Sequence, residues 1–172
     1  MAKGTKVAGK MAGKMKAASA ALKGERGIFR KLKEEHAQVS AMMRRCAAMD
    51  DASERSELFA EIRRELLAHA KGEEREFYPV FRQFEETADI VEESIEDHGA
   101  IEEMLEQLRA MTTESEDWTD LFDEMMSEVE DHVAQEENEL FPLAEKLIDD
   151  DQAKQIEDRY VHSKEQILRQ VA

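Results

Sequence analysis

A single cysteine, Cys46, leaves this 172-residue chain without an internal disulfide and gives no sign of an oxidising compartment. Only two prolines occur, Pro79 and Pro142, and four of the seven glycines fall before residue 25. Beyond that point little interrupts regular structure. No stretch approaches the roughly 18 apolar residues of a transmembrane helix. The N-terminus also lacks the apolar run and cleavage site of a signal peptide, so the cytoplasm is the expected location. Positive charge is scarce, with 24 Lys and Arg against 41 Asp and Glu and a net charge of −17. A body so acidic repels phosphate, which argues against nucleic acid as its partner.

What basic charge there is sits unevenly. Residues 1–24 hold six lysines and no acid, which leaves the rest of the chain near −23. Residues 1–25 read as a flexible basic tail, with Val7, Met11, Met15, Ala18 and Leu22 on one helical face. Such a tail suits an acidic partner or an anionic surface.

From residue 25 onward the chain is rich in Ala, Glu, Leu, Met, Lys and Arg, the straight-chain helix formers. Four segments repeat apolar residues at the 3.6-residue period. Phe29, Leu32, His36, Val39, Met43 and Cys46 mark the first, from about Arg26 to Met49. Leu58, Ile62, Leu66, His69, Glu73 and Phe77 mark the second, after a cap in Asp50–Ser53. The third, with Thr87 as its expected cap, carries Val91, Ser94, His98, Ile101, Leu105 and Leu108. The fourth carries Trp118, Phe122, Met125, Val129, His132, Glu136 and Leu140. The short connections predict an all-α, antiparallel up-down-up-down four-helix bundle over residues 26–148. An additional C-terminal helix over residues 149–172 follows, with Ile156, Tyr160, Ile167 and Leu168 on one face.

Four of the five histidines stand where an apolar residue should face the core, and each has a carboxylate nearby. The second and fourth segments also end alike. His69-x-x-x-Glu73-Glu74-x-Glu76-Phe77-Tyr78-Pro79 matches His132-x-x-x-Glu136-Glu137-x-Glu139-Leu140-Phe141-Pro142. Glu35-His36 in the first segment matches Asp97-His98 in the third. Two copies of one helical hairpin therefore bring four histidines to one level of the bundle. Histidine and glutamate four apart share a helix face. Two such pairs, with His36 and His98, offer four imidazole nitrogens and two carboxylates. That donor set suits iron, manganese or zinc, and a carboxylate can bridge two metals. Without metal, unpaired buried carboxylates would cost several kcal/mol each. Glu102, one turn after His98, breaks the repeat and is expected as a third carboxylate ligand, the alternative being a partner to the ligands or a side chain that points to solvent.

These residues resemble the hemerythrin-like family of HHE cation-binding domains, over roughly residues 26–148. The resemblance implies a four-helix bundle around two non-haem iron ions, a di-iron centre with an oxo or hydroxo bridge. It also implies that Glu73 and Glu136 bridge the irons. Oxygen-carrying members have a histidine where this chain has Glu102, and an aspartate where it has Glu137; the internal repeat selects Glu136. The expected metal ligands are thus His36, His69, Glu73, His98, Glu102, His132 and Glu136. The expected function is binding or sensing of a small ligand such as dioxygen or nitric oxide. The alternative is a di-iron redox enzyme that decomposes peroxide or oxidises ferrous iron. Tyr78 reads as a packing residue that could also ligate iron, His162 as a surface or packing histidine, and Cys46 as a small core residue. Gly72 and Gly99 offer room for the centre or for a small ligand.

Overall fold

The computed structural model describes residues 26–171, all of them in helices and short connections; the expected basic tail lies outside the described residues. Four long helices run antiparallel: α1 (Ile28–Ala47), α2 (Ala52–Glu76), α4 (Glu85–Ala110) and α5 (Glu116–Gln135). Short helices α3 (Tyr78–Phe81) and α6 (Phe141–Ala144) follow the second and fourth of these, and α7 (Asp150–Leu168) closes the chain. In space α1 lies against α2 and α5, α2 against α4, and α4 against α5, which closes a four-helix ring. Helix α7 covers the groove between α1 and α2. Among the described residues no helix is long and apolar enough to cross a membrane.

Local chemistry sets most of the boundaries. Asp51 accepts from the Glu54 N–H at 2.9 Å and Ser115 from the Trp118 N–H at 3.1 Å, which stops α2 and α5 from fraying. Asp149 and Gln152 form a reciprocal capping box at the start of α7. Thr87 caps nothing, contrary to expectation: α4 begins two residues earlier, and the buried Thr87 hydroxyl donates to the Phe81 carbonyl at 2.6 Å. Proline cannot follow an unbroken α-helix, because its ring meets the carbonyl four residues back. The two copies answer this differently. Helix α2 ends at Glu76 and a new turn starts at Tyr78, whereas α5 widens into a π-helical turn over Glu136–Leu140.

Two apolar clusters flank the level of the histidines. On one side Met43, Leu58, Ile62, Leu105, Trp118, Phe122 and Met125 fill the bundle, with Cys46 buried among them as expected. On the other, Phe29 packs against Phe77, Phe81 and Phe141 at centroid distances of 5.9, 6.1 and 5.8 Å. Gly27, at φ +61°, lets the start of α1 touch the first turn of α7, where a Cβ would sit 2.7 Å from the Ala153 backbone. That contact seats α7 beside the polar layer between the clusters.

Candidate metal centre

Each long helix of the ring contributes one histidine to a single buried layer: His36, His69, His98 and His132. They meet in pairs through their outer ring nitrogens. Nε2 of His36 lies 3.1 Å from Nε2 of His69, and Nε2 of His98 lies 3.1 Å from Nε2 of His132. The fully buried carboxylates of Glu73 and Glu136 each span both pairs. Glu73 Oε2 is 3.1 Å from His69 Nε2 and 3.5 Å from His98 Nε2. Glu136 Oε2 is 3.3 Å from His36 Nε2 and 3.7 Å from His132 Nε2.

The other nitrogen of every ring faces a carboxylate. Nδ1 donates to Glu137 from His36 at 2.9 Å, to Glu35 from His69 at 3.0 Å, to Glu74 from His98 at 3.1 Å and to Asp97 from His132 at 3.3 Å. An ionised carboxylate only accepts, so Nδ1 carries the proton and each neutral imidazole turns its Nε2 lone pair inward. Lone pairs 3.1 Å apart, next to two carboxylates, make a layer that needs positive charge. Both oxygens of Glu73 and Oε2 of Glu136 also have no hydrogen-bond partner, which burial makes costly. Metal cations satisfy all of these groups at once, and the carboxylates on Nδ1 are the usual orienting partners of ligand histidines.

Without metal the positive charge comes from protons. Burial alone would lower the His69 pKa, but Glu73 and Glu35 outweigh it and raise it to about 10. His36 and His132 are likewise raised against burial, by Glu136 with Glu137 and by Asp97 with Glu136. Burial pushes Glu136 up, while contact with His36 and the charges of His132, His36 and His69 bring it down to about 2.

The structure therefore brings six of the seven expected ligands together. His36, His69, Glu73 and Glu136 form one potential metal-binding group, and Glu73, His98 and His132 form a second that shares Glu73. Glu102 stands apart. Ile101 takes the core place in that turn, and the Glu102 side chain, 48% exposed, accepts from Lys71 Nζ at 3.1 Å. It lines, with Lys71, a cavity of about 30 Å³ whose other walls are the four histidines and apolar residues such as Val39, Leu66, Ile101 and Val129.

Several residues have roles that spacing did not reveal. Tyr78 is more than packing: its hydroxyl donates to Glu136 Oε1 at 2.8 Å and lies 3.3 Å from His98 Nε2. Gly72 makes room for Tyr160, since a Cβ there would sit 2.7 Å from the tyrosine ring, while Gly99 faces open space. His162 is exposed and pairs with Gln166. The orienting acids Glu35, Asp97, Glu74 and Glu137 were visible as repeated neighbours of the ligands, but a repeat does not say which ring nitrogen a carboxylate meets.

Comparison with known proteins agrees with this geometry. Residues 27–144 match the Hemerythrin HHE cation binding domain. A DNA nickase of Nostoc sp. (strain PCC 7120) is 26% identical over 137 residues, covering 80% of this chain and 39% of that protein. An uncharacterized hemerythrin-like protein of Schizosaccharomyces pombe is 29% identical over 91 residues, 52% of this chain and 45% of that one. The chain thus spans less than half the length of either curated relative. The crystal structure of a hemerythrin HHE cation binding domain-containing protein from Mycobacterium kansasii superposes with a TM-score of 0.75 at 20% identity, covering 85% of this chain and 90% of that one. By the extent of the family match, which takes in all four helices of the ring, this chain belongs to the hemerythrin HHE cation-binding domain family.

Proposed function

We propose that the chain holds two non-haem iron ions and uses them to bind or sense a small ligand such as dioxygen or nitric oxide. The observation that carries this reading is the convergence of four Nε2 atoms on two carboxylates that each span both histidine pairs. In this reading His36 and His69 hold one ion, His98 and His132 the other, and Glu73 and Glu136 bridge them. Bound iron would supply an electron-rich centre for a diatomic ligand. Glu102 is not among the ligands we propose, because Lys71 already holds its carboxylate at the rim.

The surrounding residues do the rest. Val39, Leu66, Ile101 and Val129 keep the cavity beside the histidines apolar. Its volume of about 30 Å³ suits a ligand the size of two waters or one diatomic molecule. Phe141 stacks on the His36 ring at an interplanar angle of 11° and fixes its orientation. A second reading, a redox enzyme acting on peroxide or ferrous iron, draws support from Tyr78. Its hydroxyl oxygen lies 2.8 Å from Glu136 Oε1 and holds a proton inside the cluster. The nickase activity of the Nostoc relative is not carried over. Helix α5 presents eight carboxylates and no Lys or Arg, which repels a phosphate backbone.

Anaerobic loading with ferrous ion tests the reading. The expected result is two irons per folded chain and an optical spectrum that changes on exposure to nitric oxide. A well-folded chain that takes up no iron would contradict it. Steady turnover of peroxide that disappears in His69→Ala would favour the redox enzyme.

A further inference from the structure

Helix α7 follows the residues that match the family and brings two polar groups into the interior. Tyr160 is fully buried and Lys164, one turn later, is 9% exposed. The Tyr160 hydroxyl donates to Glu35 Oε2 at 2.6 Å and lies 3.0 Å from His69 Nδ1. Lys164 Nζ donates to the same Glu35 oxygen at 2.7 Å and pairs with Glu65 at 3.1 Å. Lys31 holds the other Glu35 oxygen at 3.0 Å. Glu35 thus gathers two ammonium groups and a phenol while it orients His69.

The matching place in the second hairpin has none of this. Asp97 orients His132 at 3.3 Å, its side chain is 33% exposed, and no Tyr or Lys contact to it is present among the described residues. Where the first copy has Gly72, open to the Tyr160 ring, the second has Gln135, which reaches outward to Glu93 at 2.7 Å. Burying an ammonium is costly unless it is paired, so an apolar face on α7 would dock at less risk. The polar pair makes sense as an attachment to Glu35.

We infer that Tyr160 and Lys164 are positioning residues that act through Glu35 and His69 to make the two metal positions electronically unequal. A carboxylate accepting from Nδ1 pushes electron density into a ligand imidazole. Tyr160 and Lys164 draw that density off Glu35, so His69 donates less than His132 does. The position held by His69 therefore favours the reduced metal. This inference rests on the di-iron reading.

The test is a redox titration of the iron-loaded full chain, followed by ⁵⁷Fe Mössbauer spectroscopy, for the parent, Lys164→Met, Lys164→Arg and Tyr160→Phe. Iron content is measured first, so failure to load two irons in the parent counts against the di-iron reading itself. The parent should show two distinct iron environments. Lys164→Met should shift the equilibrium of its first reduction toward ferric iron by about tenfold, equivalent to about 59 mV for one electron. Tyr160→Phe keeps the ring over Gly72 and should shift it in the same direction by less, and Lys164→Arg should restore the parent value. Changes in melting temperature with potentials and Mössbauer spectra unmoved would overturn the inference and leave a purely structural attachment of α7. Should Lys164→Met fail to fold, Tyr160→Phe alone decides by the same readout.

Discussion

Glu35 and Asp97 occupy the same place in two copies of one helical hairpin, each just before a histidine of the buried layer, and each orients the histidine of the next helix. Their surroundings differ. Glu35 is buried under α7 with Lys31, Tyr160 and Lys164 around it, and Asp97 faces solvent at the α4–α5 edge. One position marks the difference: Gly72 in the first copy leaves space for the Tyr160 ring, where the second has Gln135 bonded to Glu93. Duplication supplies a symmetric set of buried histidines and glutamates. A helix added after the duplicated segment breaks that symmetry without adding a histidine or glutamate to the layer.

Removing a group that both halves share should have the largest effect. Glu73→Ala takes from each histidine pair a contact made by the same oxygen, and iron content should fall from two per chain to one or fewer. Glu136→Ala should match it, since Glu136 spans the pairs from the other side. Retention of two irons in either variant would refute the shared-carboxylate arrangement.

A smaller effect should separate the halves. Gly72→Ala drives a Cβ to 2.7 Å from a tyrosine ring pinned by its hydroxyl. The resulting overpacking should cost about 1–3 kcal/mol in denaturant unfolding. Gln135→Ala, at the matching half-buried site, removes only the hydrogen bond to Glu93 and should cost about 1 kcal/mol or less. Equal losses would show that α7 does not distinguish the copies.

Protons and metal compete for the same nitrogen atoms throughout the layer. His69, raised to about 10, carries its extra proton at pH 7 in the metal-free chain. Loading should release protons, and metal affinity should rise with pH up to that value. In the metal-free chain the sign for stability is the reverse. A folded pKa above the unfolded value near 6.5 stabilises fully below pH 6.5, and that contribution is lost as pH rises through about 10. Loading that releases no protons in a weakly buffered titration would contradict this.

The smallest effect belongs at the cavity rim. Lys71 and Glu102 are 40% and 48% exposed, so breaking their pair by Glu102→Gln should change stability by less than about 1 kcal/mol. Two irons should remain bound. Loss of an iron would restore Glu102 as a ligand.

Much of the fold was legible because periodicity and capping are local. The stripes through Phe29, Leu58, Val91 and Trp118 are buried as the 3.6-residue period requires, and the ring of four helices follows from short connections. The histidines could be found because a polar residue on an apolar stripe is an anomaly in one sequence. Glu102 misleads for the same reason: four residues from His98 it shares the spacing of Glu73 and Glu136 with their histidines, yet spacing cannot see Lys71 on the next helix. Tyr160 showed only as one member of the apolar face of the last helix, and Lys164 left no local trace. Their meaning depends on α7 docking across more than a hundred residues of chain onto Glu35, and no periodic pattern encodes that contact.

The central claim is that the layer holds two metals of one kind in two unlike settings. Anomalous scattering at the iron edge from crystals of the iron-loaded chain tests it most directly. Two peaks are expected, one at the Nε2 atoms of His36 and His69 and one at those of His98 and His132, with Glu73 and Glu136 reaching both. One peak, or iron bound only at surface carboxylates, would contradict it.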